Sequence, residues 1–509
     1  MDRDRTLTAA AVDALIADGH IIVIFEDFVL QLDSWLGKHP GGRLAILHMV
    51  GKDATDEMKA YHTPATCKTM KAFRIGLKPP GIWTNRTPPI RRGSDQTPQE
   101  NPPPATATEF PGGNAAAYTD WAENREVDKD TEGFPSLCPK VQEEIAQKYR
   151  ALHQRVRDEG FYECPYLEYG KELARYTTLF AASMIALRYE WYMTSACFLG
   201  LFWHQVMFSA HDAAHGAITG NFKVDSLIAL FVADFCCGLS IGWWKSSHNV
   251  HHLITNHPEH DPDIQNVPLF ATSPSFFRGI RSSYYDFTFA WDAVADFMVP
   301  YQKYTYYPIM GIARFNLYLL SWLHVLSAKS ASLGSSKAWW IRPVEMAFMS
   351  CYWYIFGYLL LWCTLPTWTI RVAFVLVSHI VTMPLHVQIT LSHWGMSTSE
   401  LSESESFAQR QLRTTMDVDC PRWLDFIHGG LQFQAVHHLF PRVPRHNLRK
   451  VQVLVKEFCA STGIPYTLLG FVDGNSKVLG RLGEVGEQVR HLVNCQKYMA
   501  HFSGVDGLH

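Results

Sequence analysis

Apolar residues along this chain come in blocks of very different length. Residues 20–31 (HIIVIFEDFVLQ) hold short apolar runs that predict strands. Residues 141–158 (VQEEIAQKYRALHQRVRD) place apolar positions at helical spacing among mixed charges, which predicts an amphipathic helix with a solvated face. Further on the blocks lengthen. A bilayer-spanning helix needs about 20 apolar residues, and residues 191–210 supply them. Residues 173–189, closed by Arg188 and Glu190, predict the other arm of a helical hairpin, with Tyr189, Trp191 and Tyr192 at the interface. Residues 344–363 and 369–391 predict a second hairpin, turned at Leu365-Pro366-Thr367. The stretches 226–242 and 307–326 contain Asp234 and Arg314, and a charge at bilayer depth is costly.

Between Lys78 and Lys140 the pattern dissolves into prolines (Pro79-Pro80, Pro88-Pro89, Pro102-Pro103-Pro104) and Gly112-Gly113, which predicts a mostly extended linker. Four zones result: a compact polar domain at 1–76, a linker at 77–140, a membrane domain at 141–475 and a tail at 476–509. The first residues lack the apolar core of a signal peptide, so the polar domain is expected in the cytosol.

Composition narrows the chemistry. A net charge of -3 gives no electrostatic case for nucleic-acid binding. The 11 cysteines form no CxxC pair, which argues against a disulfide framework and a zinc ribbon. The 24 histidines are the anomaly. They include His211-Asp212-Ala213-Ala214-His215, His248-Asn249-Val250-His251-His252 and Gln434-Ala435-Val436-His437-His438. At this histidine frequency chance gives about one HxxxH pair but only about 0.05 HxxHH triples. Spacings of three and four put the imidazoles on one helical face, where they can converge on a metal.

Seven such histidines, a glutamine and His393 exceed what one zinc takes, and leave room for two metals. Imidazole suits iron as well as zinc. Convergence requires an even number of crossings between clusters. The segments 226–242 and 307–326 are therefore expected to dip or lie flat rather than cross alone.

The first zone resembles cytochrome b5 over residues 8–76, on His39-Pro40-Gly41-Gly42, Gly51-Lys52-Asp53-Ala54-Thr55 and His62. The resemblance implies an α+β domain in which His39 and His62 ligate haem b from both faces, an electron carrier with no open site for oxygen. Asp53, Asp56 and Glu57 are expected to form an acidic rim facing a basic reductase. His20 and His48 are expected to serve packing or surface roles. An adjacent electron carrier favours iron over redox-inert zinc at the histidine clusters.

Residues 140–470 resemble the membrane fatty-acid desaturases. WLDFIHGGLQFQAVHHLFPR (423–442) and HNVHHLITNHPEHDPD (248–263) are similar to the front-end subgroup, which carries a fused cytochrome b5 and a glutamine at the head of the third box. The resemblance implies an all-α membrane domain with about four transmembrane helices. It implies two irons held by His211, His215, His248, His251, His252, His393, Gln434, His437 and His438, with O2 as co-substrate. Asp261 and Asp263 are expected to orient ligand imidazoles. His257, His260, His386 and His428 are expected to be hydrogen-bonded or interfacial histidines.

The whole chain, with TPPI (87–90) and SHWGMSTSEL (392–401), most resembles fungal sphingolipid Δ8 desaturases. This implies a trans double bond at carbon 8 of the long-chain base of ceramide. It also implies electrons from NADH-cytochrome b5 reductase, and a multi-pass protein of the endoplasmic reticulum membrane with haem domain and histidine boxes on the cytosolic face. The alternatives are a Δ5/Δ6 acyl-lipid desaturase, a cytochrome b5-fused lipid hydroxylase, and a non-catalytic haem- or metal-binding membrane protein.

Overall fold

In the computed structural model, which describes residues 3–92, 115–327 and 338–503, the strands read from the sequence form where expected. Ile22–Phe25 pairs antiparallel with Phe28–Gln31, and Arg74–Leu77 closes a three-stranded sheet. Its apolar face packs Val23, Phe25 and Leu30 against Ala45, Ile46 and Met49 of the short helices that carry the HPGG segment.

The long apolar blocks become helices. Among the described residues three are long and apolar enough to cross a membrane: Ala293–Leu326, Ile341–Thr364 and Trp368–Leu391. Phe222–Cys236 and Ile241–Leu253, which include residues 226–242, pass the same test only as a pair bent by 116°, the geometry of a broken span or a re-entrant loop. Residues 307–326 end one of these three helices by length and composition, while a lone crossing there would break the even count that convergence of the boxes requires. Arg314 is accommodated in this apolar helix because its charge is spent internally: it is fully buried and donates to the Tyr318 hydroxyl and the Cys237 carbonyl, each at 2.8 Å. It also lies 4.3 Å from the Trp203 ring centroid.

The first expected hairpin forms as Tyr166–Arg188 packed on Tyr192–Ala214. Neither helix is among the three span-length apolar ones. Glu168, Lys171, Glu172 and Arg175 dilute the first, and His204 and Gln205 interrupt the second.

Two further differences concern the zones. The linker is not extended throughout: Ala115–Gly133, which lacks proline, is helical, and its Glu126 and Asp130 pair with Arg481 and Arg413. Residues 93–114 lie outside the described residues. The tail begins inside a helix, Phe471–Ser503, whose Val478, Leu482, Val485 and Val489 are buried beside Val299 and Tyr306. The helix Pro139–Asp158 has an exposed face as expected, while Ile145, Tyr149, Leu152 and Val156 bury against Phe440, Val455 and Phe458.

The small N-terminal domain is docked on the membrane domain. Leu253 and Ile254 enter its core, and its Ala60 enters the core around Tyr149. The acidic rim is used here and does not face outward. Asp56 and Glu57 are buried. Arg150 donates to Asp56 at 2.7 Å, and Arg410 stands 3.9 Å from Glu57. Lys52 reciprocates toward Glu403 at 2.9 Å. Replacing Arg150 by Glu strands the buried Asp56 carboxylate, at a cost of about 1–3 kcal/mol. Faster amide exchange across residues 55–62, with unchanged overall helicity, is the expected measurement.

Candidate metal centre

Each histidine cluster is delivered by a helix end. His211 lies in the last turn of Tyr192–Ala214 and His215 caps it, so their rings stand 4.8 Å apart. His248, His251 and His252 follow one face of Ile241–Leu253. His437 and His438 sit on the short helix Gln434–Leu439, and His393 lies just beyond Met383–Leu391.

These side chains converge on two foci. The ligand-capable atoms of His211, His215, His248 and His437 all lie within 4.8 Å of one another, as do those of His251, His393 and His438. His252 stands between the foci, its ring 4.9 Å from His215 and from His437 and 4.0 Å from His438. Gln434 is buried with its side chain toward His393.

The chemistry of the donor set fits metal. Nε2 of His211, His215, His437 and His438, and Nδ1 of His252 and His393, are buried without a hydrogen-bond partner. Six buried nitrogens left open on these histidines would cost heavily unless a cation satisfied them. Burial also holds the pKa of His437 and His438 well below the usual imidazole range, in the neutral form a metal requires.

Outer partners fix the rings. His251 Nδ1 faces Asp261 Oδ2 at 2.8 Å, and the same oxygen accepts from the Asn256 amide. Asn256, at φ 59°, then donates to the carbonyls of His393, Ser397 and Thr414 and so ties the second box to the segment bearing His393. Gln411 joins the second and third boxes: its Oε1 lies 2.9 Å from His438 Nδ1 and its Nε2 donates to the His252 carbonyl at 2.7 Å. Buried Arg445 bridges Asp212, next to His211, and Glu172. Asp417 anchors the third box by accepting from the Ala435 amide at 2.8 Å, with its carboxyl raised to about 6 by burial.

Asp261 was legible in the sequence through its DPD motif. Asn256, Gln411, Arg445, Glu172 and Asp417 were not read from it, and none carried a local signal of its partner. Asp261→Asn is expected to lower metal affinity and activity about 10–100-fold, read as iron retained after dialysis.

The second candidate site lies in the small domain. The His39 and His62 ring centroids stand 6.0 Å apart with the rings tilted by 46°, a gap across which both imidazoles could hold one metal. His39 Nδ1 lies 2.9 Å from the Gly42 carbonyl and His62 Nδ1 2.9 Å from the Met58 carbonyl, which leaves Nε2 of each toward the gap. Burial lowers the pKa of both, that of His62 to about 4 with help from His39. The backbone passes close here: a Cβ on Gly41 would meet His39 Cε1 at 2.9 Å.

The two sites touch. The Tyr61 ring, next to His62, stands 5.9 Å from His252, and Asn249, between His248 and His251, donates to the Gly41 carbonyl at 3.3 Å. The expected hydrogen-bonding histidines behave so: His257 faces Glu400, His260 faces Ser283, His386 faces the Met310 carbonyl and His428 faces Gln388. His20 pairs with Asp33, and His48 is buried 5.1 Å from the His260 ring.

Residues 190–470 match the family model of fatty acid desaturases, and residues 8–77 match that of the cytochrome b5-like haem/steroid binding domain. The chain is 48% identical over 534 residues to a Delta 8-(E)-sphingolipid desaturase of Emericella nidulans, covering 98% of this chain and 97% of that protein. A Komagataella phaffii protein of the same description is 45% identical, over 94% and 93% of the two chains. An acyl-lipid (9-3)-desaturase of Borago officinalis is 29% identical, over 93% and 92%.

Proposed function

Since the chain belongs to the fatty acid desaturase family, with a cytochrome b5-like domain at its N-terminus, we propose that it introduces a trans double bond at carbon 8 of a sphingolipid long-chain base. The observation that carries this reading is near-full-length identity of 48% to a relative so described, against 29% for an acyl-lipid relative. It is an enzyme and a membrane protein.

His39 and His62 would hold haem b. His211, His215, His248, His437 and His252 would hold one iron, and His251, His393 and His438 the other, with Gln434 beside His393. Bound there, haem supplies electrons one at a time and the iron pair supplies the oxidising power that takes two hydrogens from the lipid, with O2 leaving as water.

The protein's own work is positional. Asp261 and Gln411 fix the rings of His251 and His438, and Asn256 holds the second box against the strand of chain bearing His393. Arg445 keeps the Asp212 carboxylate beside His211. Tyr61 and Asn249 set the contact between the haem ligands and the second box. With the small domain docked against the histidine boxes, both belong on one face of the membrane, which we assign to the cytosolic side of the endoplasmic reticulum. The electron donor is NADH-cytochrome b5 reductase. Because the acidic rim is occupied by Arg150 and Arg410, the reductase docks elsewhere on the small domain or reaches it during undocking.

Expression in cells lacking long-chain-base unsaturation, followed by mass spectrometry of sphingolipids and fatty acids, tests the proposal. A new double bond at carbon 8 of the long-chain base is expected. A double bond confined to acyl chains, or an added hydroxyl, overturns it.

A further inference from the structure

Two segments that stand out in the sequence, TPPI (87–90) and SHWGMSTSEL (392–401), meet at the seam between the small domain and the membrane domain. With one side, residues 83–91 grip the small domain. The Trp83 indole and the Arg86 amide both donate to the Gly51 carbonyl, at 3.0 and 3.1 Å. Arg86 pairs with Asp13 at 2.8 Å, and Asn85 Oδ1 accepts from the Asp53 amide at 2.8 Å. The segment is thus part of the small domain's surface.

With the other side it grips the membrane domain. Asn85 Nδ2 donates to the Glu403 carbonyl at 2.9 Å. Pro88 is buried, and Pro89 opens the single 3-10 turn Pro89–Arg91, in which the Arg91 amide donates to the Pro88 carbonyl at 2.8 Å. Two adjacent prolines have little backbone freedom to lose, so the turn presents Arg91 at small entropic cost. The Arg91 side chain is 4% exposed, with Nη1 2.7 Å from Glu400 Oε1 and 3.4 Å from Glu403 Oε1. Glu403 also takes Lys52 of the small domain, and Glu400 faces the His257 ring at 3.0 Å.

These partners lie on the chain segments that bear metal-centre histidines. Glu400 follows His393 by seven residues, and His257 follows His252 by five. The other ion pairs across the seam sit elsewhere. Asp56 meets Arg150 on Pro139–Asp158, and Glu57 meets Arg410 on Phe407–Thr414, helices that carry no histidine of the foci. Those pairs hold the small domain down. Arg91 registers it against the metal-bearing chain.

We infer that residues 83–91 form a latch, with Arg91 as a positioning residue, which fixes the small domain at one distance from the second box and the His393 segment. A buried guanidinium shared between two carboxylates is costly to leave unpaired, so the closed latch resists opening. The inference rests on the electron-carrying reading of the small domain and adds what sets its docked pose.

The test uses purified full-length holoenzyme and follows haem absorbance by stopped flow. Two rates are read: reduction by NADH with cytochrome b5 reductase, and reoxidation in air with ceramide present. Arg91→Gln and Glu400→Gln are each expected to slow reoxidation about tenfold, with the double variant no slower than Arg91→Gln, because coupled partners are not additive. Arg91→Lys is expected to keep part of the rate. Reduction is expected to be no slower in any variant, since an open latch uncovers the small domain. Haem absorbance and iron content stay at wild-type level, while amide exchange quickens at 254–257 and 399–403. Wild-type reoxidation with wild-type exchange in Arg91→Gln overturns the latch, and so does equal slowing of both rates, the mark of general damage. A wild-type chain without haem absorbance removes the electron-carrying reading, and the exchange comparison then decides the latch alone.

Discussion

Replacing His251 by Ala is expected to strip iron from the protein and abolish desaturation while leaving the haem spectrum intact. His251 belongs to the three-histidine focus with His393 and His438, and it carries the tightest outer contact, 2.8 Å to Asp261. Its loss takes one of three imidazoles from that focus and leaves Asp261, a fully buried carboxylate, without its partner ring. The effect should exceed the about 10–100-fold loss expected from Asp261→Asn, where the ligand itself survives. Metal analysis of the purified variant, with the haem absorption as internal control, reads the result. Full iron content and turnover in His251→Ala would remove His251 from the metal centre.

His39→Ala should give the mirror image: no haem absorption, turnover at background with NADH and reductase, and iron retained. His39 reaches the gap from one side only, with His62 6.0 Å away on the other, so one imidazole cannot hold the group from both faces. The variant also opens space beside Gly41, whose carbonyl accepts from Asn249 on the second-box helix. Loosening therefore propagates toward the metal centre as a loss of electron supply, not of metal. Activity that persists without haem absorption would sink this assignment.

The histidine clusters and the His39/His62 pair were readable because each is local. HPGG, HDAAH, HNVHH and QAVHH put ligand-type side chains at helical or turn spacings, and those spacings hold wherever the chain goes. DPD was readable for the same reason, since Asp261 stands only ten residues from His251. The residues that lock the boxes together were not. Gln411 lies 27 residues before His438, and Glu172 and Arg445 meet across 273 residues. A glutamine or arginine in isolation carries no signature of its partner.

The acidic residues of the small domain show the other failure. Asp56 and Glu57 look like a surface rim until the fold brings Arg150 and Arg410 against them. Arg314 likewise looked too costly for a membrane-length helix until Tyr318, Cys237 and Trp203 were found around it.

What the sequence alone determined was the inventory: the clustered histidines, the helices that present them, and apolar blocks long enough for a bilayer. The tertiary structure decided the partition of the histidines into two foci and the docking of the small N-terminal domain against the second box. The reason is one of range. Backbone periodicity fixes which side chains share a face within a few residues, whereas contacts across hundreds of residues depend on how whole helices pack, and no local spacing encodes that.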